Sequence, residues 1–109
     1  MGNLNSGFIV IYRWTVDSEH EEEFRKRWHD LTLRGRDFGA FGSCLAKGDE
    51  GQYVAIALWP SEETRADAFR KIDAGAPWRG ATRLSEERLR VEDDLWVDSS
   101  FRVNSRDAH

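Results

Sequence analysis

The chain has one cysteine, two prolines and no long apolar run. Each shortage removes a class of protein. A single thiol, Cys44, forms no intrachain disulfide, so no disulfide framework holds the fold and a reducing cytoplasm is the expected compartment. No apolar stretch reaches membrane-spanning length, and the N-terminus lacks a basic region followed by an apolar one, so neither a membrane nor a secretory route is expected. Positive charge is not in excess: 16 basic against 20 acidic residues give a net charge of −4. The signs are interspersed, leaving no electrostatic footprint for nucleic acid. There is no His-x-x-x-His or paired cysteine spacing for zinc and no Gly-x-Ser-x-Gly elbow. Gly35, Gly39 and Gly42 follow a helix pattern instead of a strand, so they make no dinucleotide fingerprint. No metal and no cofactor are expected.

What is present suits one soluble domain. Of 109 residues, 39% are hydrophobic and 33% charged. A domain of this size buries roughly two thirds of its unfolded surface. Five Trp, six Phe and two Tyr are many for so modest a core. They either fill the interior or line a pocket or an interface. Residues 1–6 are expected to be a polar leader, although MGNLNS also fits the pattern for myristoylation at Gly2. The domain is expected over residues 7–103, with 104–109 as a polar tail.

The organising stretch is Gln52 to Ile72. From Tyr53 to Trp59, strand alternation sends Tyr53, Ala55, Ala57 and Trp59 to one face and Val54, Ile56 and Leu58 to the other. Neither face is polar, which is the mark of a strand in mid-sheet with a layer over both sides. Pro60 ends the strand, and Ser61 is an N-cap with Glu62 and Glu63 in the first helical turn. Ala66, Phe69, Ile72 and Ala76 form the expected apolar stripe of that helix, which Gly75 and Pro77 end.

Gly7 to Val16 is a first strand, again mostly apolar on both faces. Ser18 with Glu21 has capping-box spacing, and His20, Phe24, Trp28, Leu31 and Gly35 make the buried stripe of the first helix. A weaker strand near Phe41 to Lys47 suits a sheet edge, and Gly48 to Gly51 is a hairpin turn. Beyond Trp78, Ala81, Leu84 and Arg88 suggest a short helix, and a last strand is placed around Asp94 to Phe101. The order β-α-β-β-α-β is the α+β, ferredoxin-like split arrangement with an antiparallel sheet, whose first and third strands are central. Two helices cover one sheet face, so the other needs a cover. A second copy is the simplest one: a homodimer with sheets face to face, burying Ile9 and Ile11 with Val54, Ile56 and Leu58, or else the opposite set.

The strand FIVIYRWTV, the helix start DSEHEEEF, the block YVAIALWPSEETRADAF and Pro77-Trp78 resemble the antibiotic biosynthesis monooxygenase-like family of the dimeric α/β barrel superfamily, over about residues 8 to 98. The resemblance implies cofactor-free oxygenation of phenolic or quinol-like substrates in some members, haem degradation in others, and no demonstrated chemistry in many. Such oxygenation needs a dry apolar cavity, a base or hydrogen-bond partner, and a donor for a developing oxyanion. The candidate cavity lies between sheet and helices, lined by Tyr12, Trp14, Trp28, Trp59, Phe69 and Trp78, with Tyr12 as its polar group. His29 or Arg13 join only if the helix and strand phases shift. Strand and helix spacing alone also accounts for these aromatics as plain core. A non-catalytic small-molecule-binding or structural dimer is therefore the alternative. Haem binding or degradation is more distant: the positions at which the haem-degrading branch carries Asn, Trp and His hold Tyr12, Ala68 or Phe69, and about Thr82.

Overall fold

The computed structural model describes residues 7–73, 75 and 77–97. Its elements are β1 (Phe8–Val16), a single 3-10 turn (Ser18–His20), α1 (Glu21–Arg36), β2 (Gly42–Lys47), β3 (Tyr53–Trp59), α2 (Glu62–Lys71) and β4 (Ala81–Arg90). All strand pairs are antiparallel, in the order β2-β3-β1-β4. The two doubly apolar strands are therefore the central pair, β2 is an edge, and the expected ferredoxin-like arrangement is met.

Register decides which apolar face receives the helices. Phe8, Val10, Tyr12 and Trp14 stand opposite Trp59, Ala57, Ala55 and Tyr53. From this face, Phe8, Val10 and Trp59 pack with Ala68 and Ile72 and with Leu31 of α1. Phe24 of α1 meets Trp14 and Tyr53 at ring-centroid distances of 5.1 and 5.0 Å. Every fully buried strand residue belongs to this face. On the reverse side Ile9, Ile11, Val54, Ile56 and Leu58 are only half-buried, by their own sheet neighbours. Of the two sets left open by the alternation, this is the one the helices leave uncovered.

The helix ends follow local chemistry, with one departure. Ser61 Oγ accepts from Thr64 N at 3.1 Å and caps α2 as expected. Ser18 instead opens the 3-10 turn, and α1 begins at Glu21 behind His20 with no side-chain cap. The Glu21 carboxylate is engaged elsewhere: it accepts from Lys47 Nζ and from Tyr53 Oη, both at 2.8 Å. A charge-assisted bond to lysine plus a phenol outweighs one back-bond to a helix terminus.

Other expectations are corrected. The last described strand is Ala81–Arg90, not Asp94 to Phe101, and among the described residues the expected short helix between α2 and that strand is absent. Asp94 to Val97 form no strand, and residues 98–101 lie outside the described residues, as do the expected leader, the tail and Ala76. The physical reason is a bulge. Arg13 pairs with Ser85 but Trp14 with Arg83, so Leu84 is an extra residue that breaks the alternation. Ala81, Leu84 and Arg88 then fall at helix-like intervals although the backbone is extended. β4 also carries charge on both faces, as an edge strand can. α2 ends at Lys71, before the expected stop at Gly75 and Pro77; its buried position is Ala68, Ile72 is buried just beyond its last residue, and Ala66 is exposed. The stripe is thus Arg65, Ala68, Phe69 and Ile72, one position out of phase with the apolar residues alone.

Candidate functional site

Small residues open a gap between the layers. Ala57 on β3, Gly35 on α1, and Ala40 and Gly42 on the following loop and β2 border a cavity of about 460 Å³. That volume lies within the range of small-molecule sites. Tyr12 and Trp14 of β1, Trp28 of α1, Trp59 of β3, Phe69 of α2 and Trp78 of the α2–β4 connection all line it. The six residues singled out in the sequence are thus brought around one space. Tyr12 stacks on Trp14 at 5.6 Å, and Trp14 lies within 7° of parallel to Trp78 at 6.3 Å. Trp59 and Phe69 meet at 5.9 Å, the first buried and the second 41% exposed, so Phe69 sits at the rim. His29 is exposed and takes no part. Arg13 is on the opposite sheet face, 3.7 Å from Glu87.

A polar cluster sits among the rings. Arg65 Nη2 donates to Tyr12 Oη at 2.8 Å and faces Glu86 Oε2 at 3.5 Å. Glu86 in turn accepts from Arg83 Nη1 at 3.1 Å and Arg88 Nε at 2.9 Å. Cation–ring contacts fix the two cavity-lining arginines: Arg65 over Phe69 at 4.9 Å and Arg83 over Tyr12 at 5.3 Å. Tyr12 accepts a bond but its own hydroxyl hydrogen has no acceptor among the described residues, so it remains available for donation. Three further polar atoms are buried without a partner on residues lining the same cavity: Trp59 Nε1, Ser43 Oγ and Arg65 Nε. Buried polar groups are ordinarily satisfied, so these three are exceptions, gathered on residues around one cavity although the atoms themselves have almost no accessible surface.

Arg65, Arg83, Glu86 and Ser43 were not among the residues expected at the site. Arg65 carried a signal: it is a charged residue at the i−3 and i−7 positions from buried Ala68 and Ile72, hence on the covered face of α2. Glu86 and Arg83 carried none, because the bulge hides the phase of β4.

A second cluster at the far end of the same face is of a different kind. Tyr53 Oη donates to Glu21 Oε1 at 2.8 Å and accepts from Arg25 Nη1 at 2.9 Å. Bonds from Lys47 and then Tyr53 hold the Glu21 carboxyl below its ordinary value of 4.5. The bond to Glu21 raises Lys47 above 10.5. Among the described residues no three His, Cys, Asp or Glu side chains gather as a metal site.

No family model matches the chain, and no curated protein matches it. Solved structures do. A candidate monooxygenase from Shewanella loihica PV-4 superposes with a TM-score of 0.67 at 18% identity, covering 84% of this chain and all of the other. SnoaB, a cofactor-independent oxygenase from Streptomyces nogalater, gives 0.60 at 16% identity over 83% of this chain and 97% of its own. A candidate antibiotic biosynthesis monooxygenase from Nitrosomonas europaea gives 0.63 at 9% identity, over 87% of this chain and 97% of its own. At such identities the likeness speaks for backbone architecture, and it agrees with the resemblance carried by the strand and helix motifs. The chain has the ferredoxin-like fold of the antibiotic biosynthesis monooxygenases.

Proposed function

We propose that this protein binds a small aromatic or quinol-like molecule in the cavity between sheet and helices, and that it acts on that molecule as a cofactor-independent monooxygenase. The observation that carries the reading is the cavity of about 460 Å³ with aromatic walls and one polar cluster, Arg65–Tyr12–Glu86. Aromatic walls exclude water and stack on a flat ring system. In the reaction the substrate loses a proton and its carbanion or phenolate passes an electron to dioxygen. For an activated methylene, one oxygen atom enters as the carbonyl and the other leaves as water with the two hydrogens, so no outside reductant is needed. Tyr12 and Arg65 are the donors that meet the developing oxyanion.

The test is quenching of Trp fluorescence by micromolar naphthols, quinols and flavonoids, paired with oxygen uptake on those that bind. Binding is expected to weaken in Tyr12→Phe and Trp28→Ala while the far-UV circular dichroism stays unchanged. Binding without oxygen uptake identifies a non-catalytic binding protein, and no binding from the whole panel overturns the reading.

The same reading includes a homodimer. The uncovered face with Ile9, Ile11, Val54, Ile56 and Leu58 supports it, as do the exposed Leu95, Trp96 and Val97 beyond β4. Light scattering on a sizing column is expected to give twice the chain mass of 12.6 kDa, and a stable monomer at micromolar concentration counts against the dimer. A cytoplasmic home fits the lone, exposed thiol of Cys44.

A further inference from the structure

Resting on the reading of the cavity as a small-molecule site, we infer that its ligand carries an anionic oxygen, a carboxylate or an acidic phenol, seated against Arg65 and Arg83. Charge around the cavity is unbalanced. Among the described residues Glu86 is the only carboxylate lining it, against Arg65 and Arg83, and Arg88 from outside the cavity shares the same carboxylate. The positive excess arises in a chain whose net charge is −4, so the overall composition does not produce it. Arg83 and Arg88 are about half exposed and solvent screens them, but the Arg65 side chain is only 13% exposed. A guanidinium that far from water is costly unless its charge and its N–H groups are met.

Arg65 is only partly met. Nη2 serves Tyr12 closely and Glu86 at 3.5 Å, while Nε is buried with no acceptor. Its position is nevertheless fixed, by Phe69 beneath the guanidinium and by Tyr12. A planar cation held in place at the cavity wall, with its charge only partly countered, favours an anionic ligand oxygen, and charge-assisted bonds of this kind are roughly twice as strong as neutral ones.

The remaining orphans agree in sign. Trp59 Nε1 can only donate, and Ser43 Oγ can donate. Glu86, the one carboxylate among the described lining residues, is already occupied by arginines. The cavity therefore offers donors and positive charge, and no uncommitted carboxylate among its described lining side chains. The geometry selects flat molecules decorated with acceptors, one of them charged, over neutral or amine-bearing analogues of the same shape.

The experiment compares 1-hydroxy-2-naphthoate with its methyl ester, titrated at neutral pH and low salt by Trp fluorescence. The acid is expected to bind about 10-fold tighter than the ester, the size of one well-formed charged contact. Arg83→Gln is expected to reduce that preference several-fold, and Arg65→Gln to abolish it. Circular dichroism checks that both variants fold. Equal affinity for acid and ester overturns the anionic ligand and leaves the proposed aromatic site standing. Failure of both compounds to bind overturns the anionic ligand, and failure of the whole naphthol, quinol and flavonoid panel with them overturns the aromatic site as well. A preference for the acid that survives in both variants places the anion elsewhere and overturns the assignment to Arg65 and Arg83.

Discussion

Two tyrosines stand on the helix-covered face of the sheet, on adjacent central strands, and their hydroxyls are served in opposite ways. Tyr53 on β3 is 3% exposed, donates to Glu21 and accepts from Arg25, so both functions of its oxygen are spent. Lys47 donates to the same Glu21 Oε1. Tyr12 on β1 accepts from Arg65 and keeps its hydrogen, beside an arginine with an orphaned Nε and a cavity both residues line. The residue types are the same: a phenol, a carboxylate and cations. Satisfaction is what differs. A closed network ties the start of α1 to the sheet and has nothing left to offer, while an open one at a cavity retains capacity for something else.

The sharpest way to break this contrast is to remove what both clusters lean on. Phe24 is 3% exposed and its ring meets Tyr53, Trp14 and Trp78. Phe24→Ala is expected to cost about 3–5 kcal/mol in urea unfolding, and to impair ligand binding as well. Tyr53→Phe comes next: it leaves the groups around a buried hydroxyl without their partner, for about 1–3 kcal/mol of stability, with ligand affinity unchanged. Tyr12→Phe is expected to weaken naphthol or quinol binding several-fold, as fluorescence titration reads, and to cost about 1–3 kcal/mol of stability as well, because Arg65 Nη2 loses its closest acceptor. If Tyr53→Phe weakens binding and Tyr12→Phe does not, the roles of the clusters are exchanged.

The smallest effect is in pH. Glu21 is held below 4.5 in the folded protein, so its contribution is fully present above that value and is lost as pH falls through the lowered folded one. Lys47 is held above 10.5, so its contribution is present below that value and is lost as pH rises through the raised one. Melting temperature is expected to fall at both extremes, and Glu21→Gln to flatten both limbs. Because Lys47 lies at the surface, added salt is expected to shrink the effect. Limbs that survive unchanged in Glu21→Gln assign the pH response to other groups.

Legibility followed burial. β1 and β3 could be read because their central place demands apolar residues on both faces, and α1 because Phe24 and Gly35 sit at helical spacing on its covered side. Ser61 could be read because a cap is a local bond. β4 could not, since an edge strand tolerates charge on either face and the extra Leu84 imitates a helical interval. The same bulge hid Glu86 and Arg83. On α2, counting apolar residues alone set the stripe out of phase and passed over Arg65, whose place on the covered face is what brings it to Tyr12.

The sequence by itself determined which strands are central and where the two helices start to within a turn. Those are consequences of periodicity, and periodicity is local. Only the tertiary structure decided which apolar face the helices cover, because alternation is the same for either choice. It alone joined Tyr12 to Arg65 across 53 positions of chain and to Glu86 across a strand pair. Such contacts depend on register and helix placement, which emerge when the whole core packs and are written in no single segment.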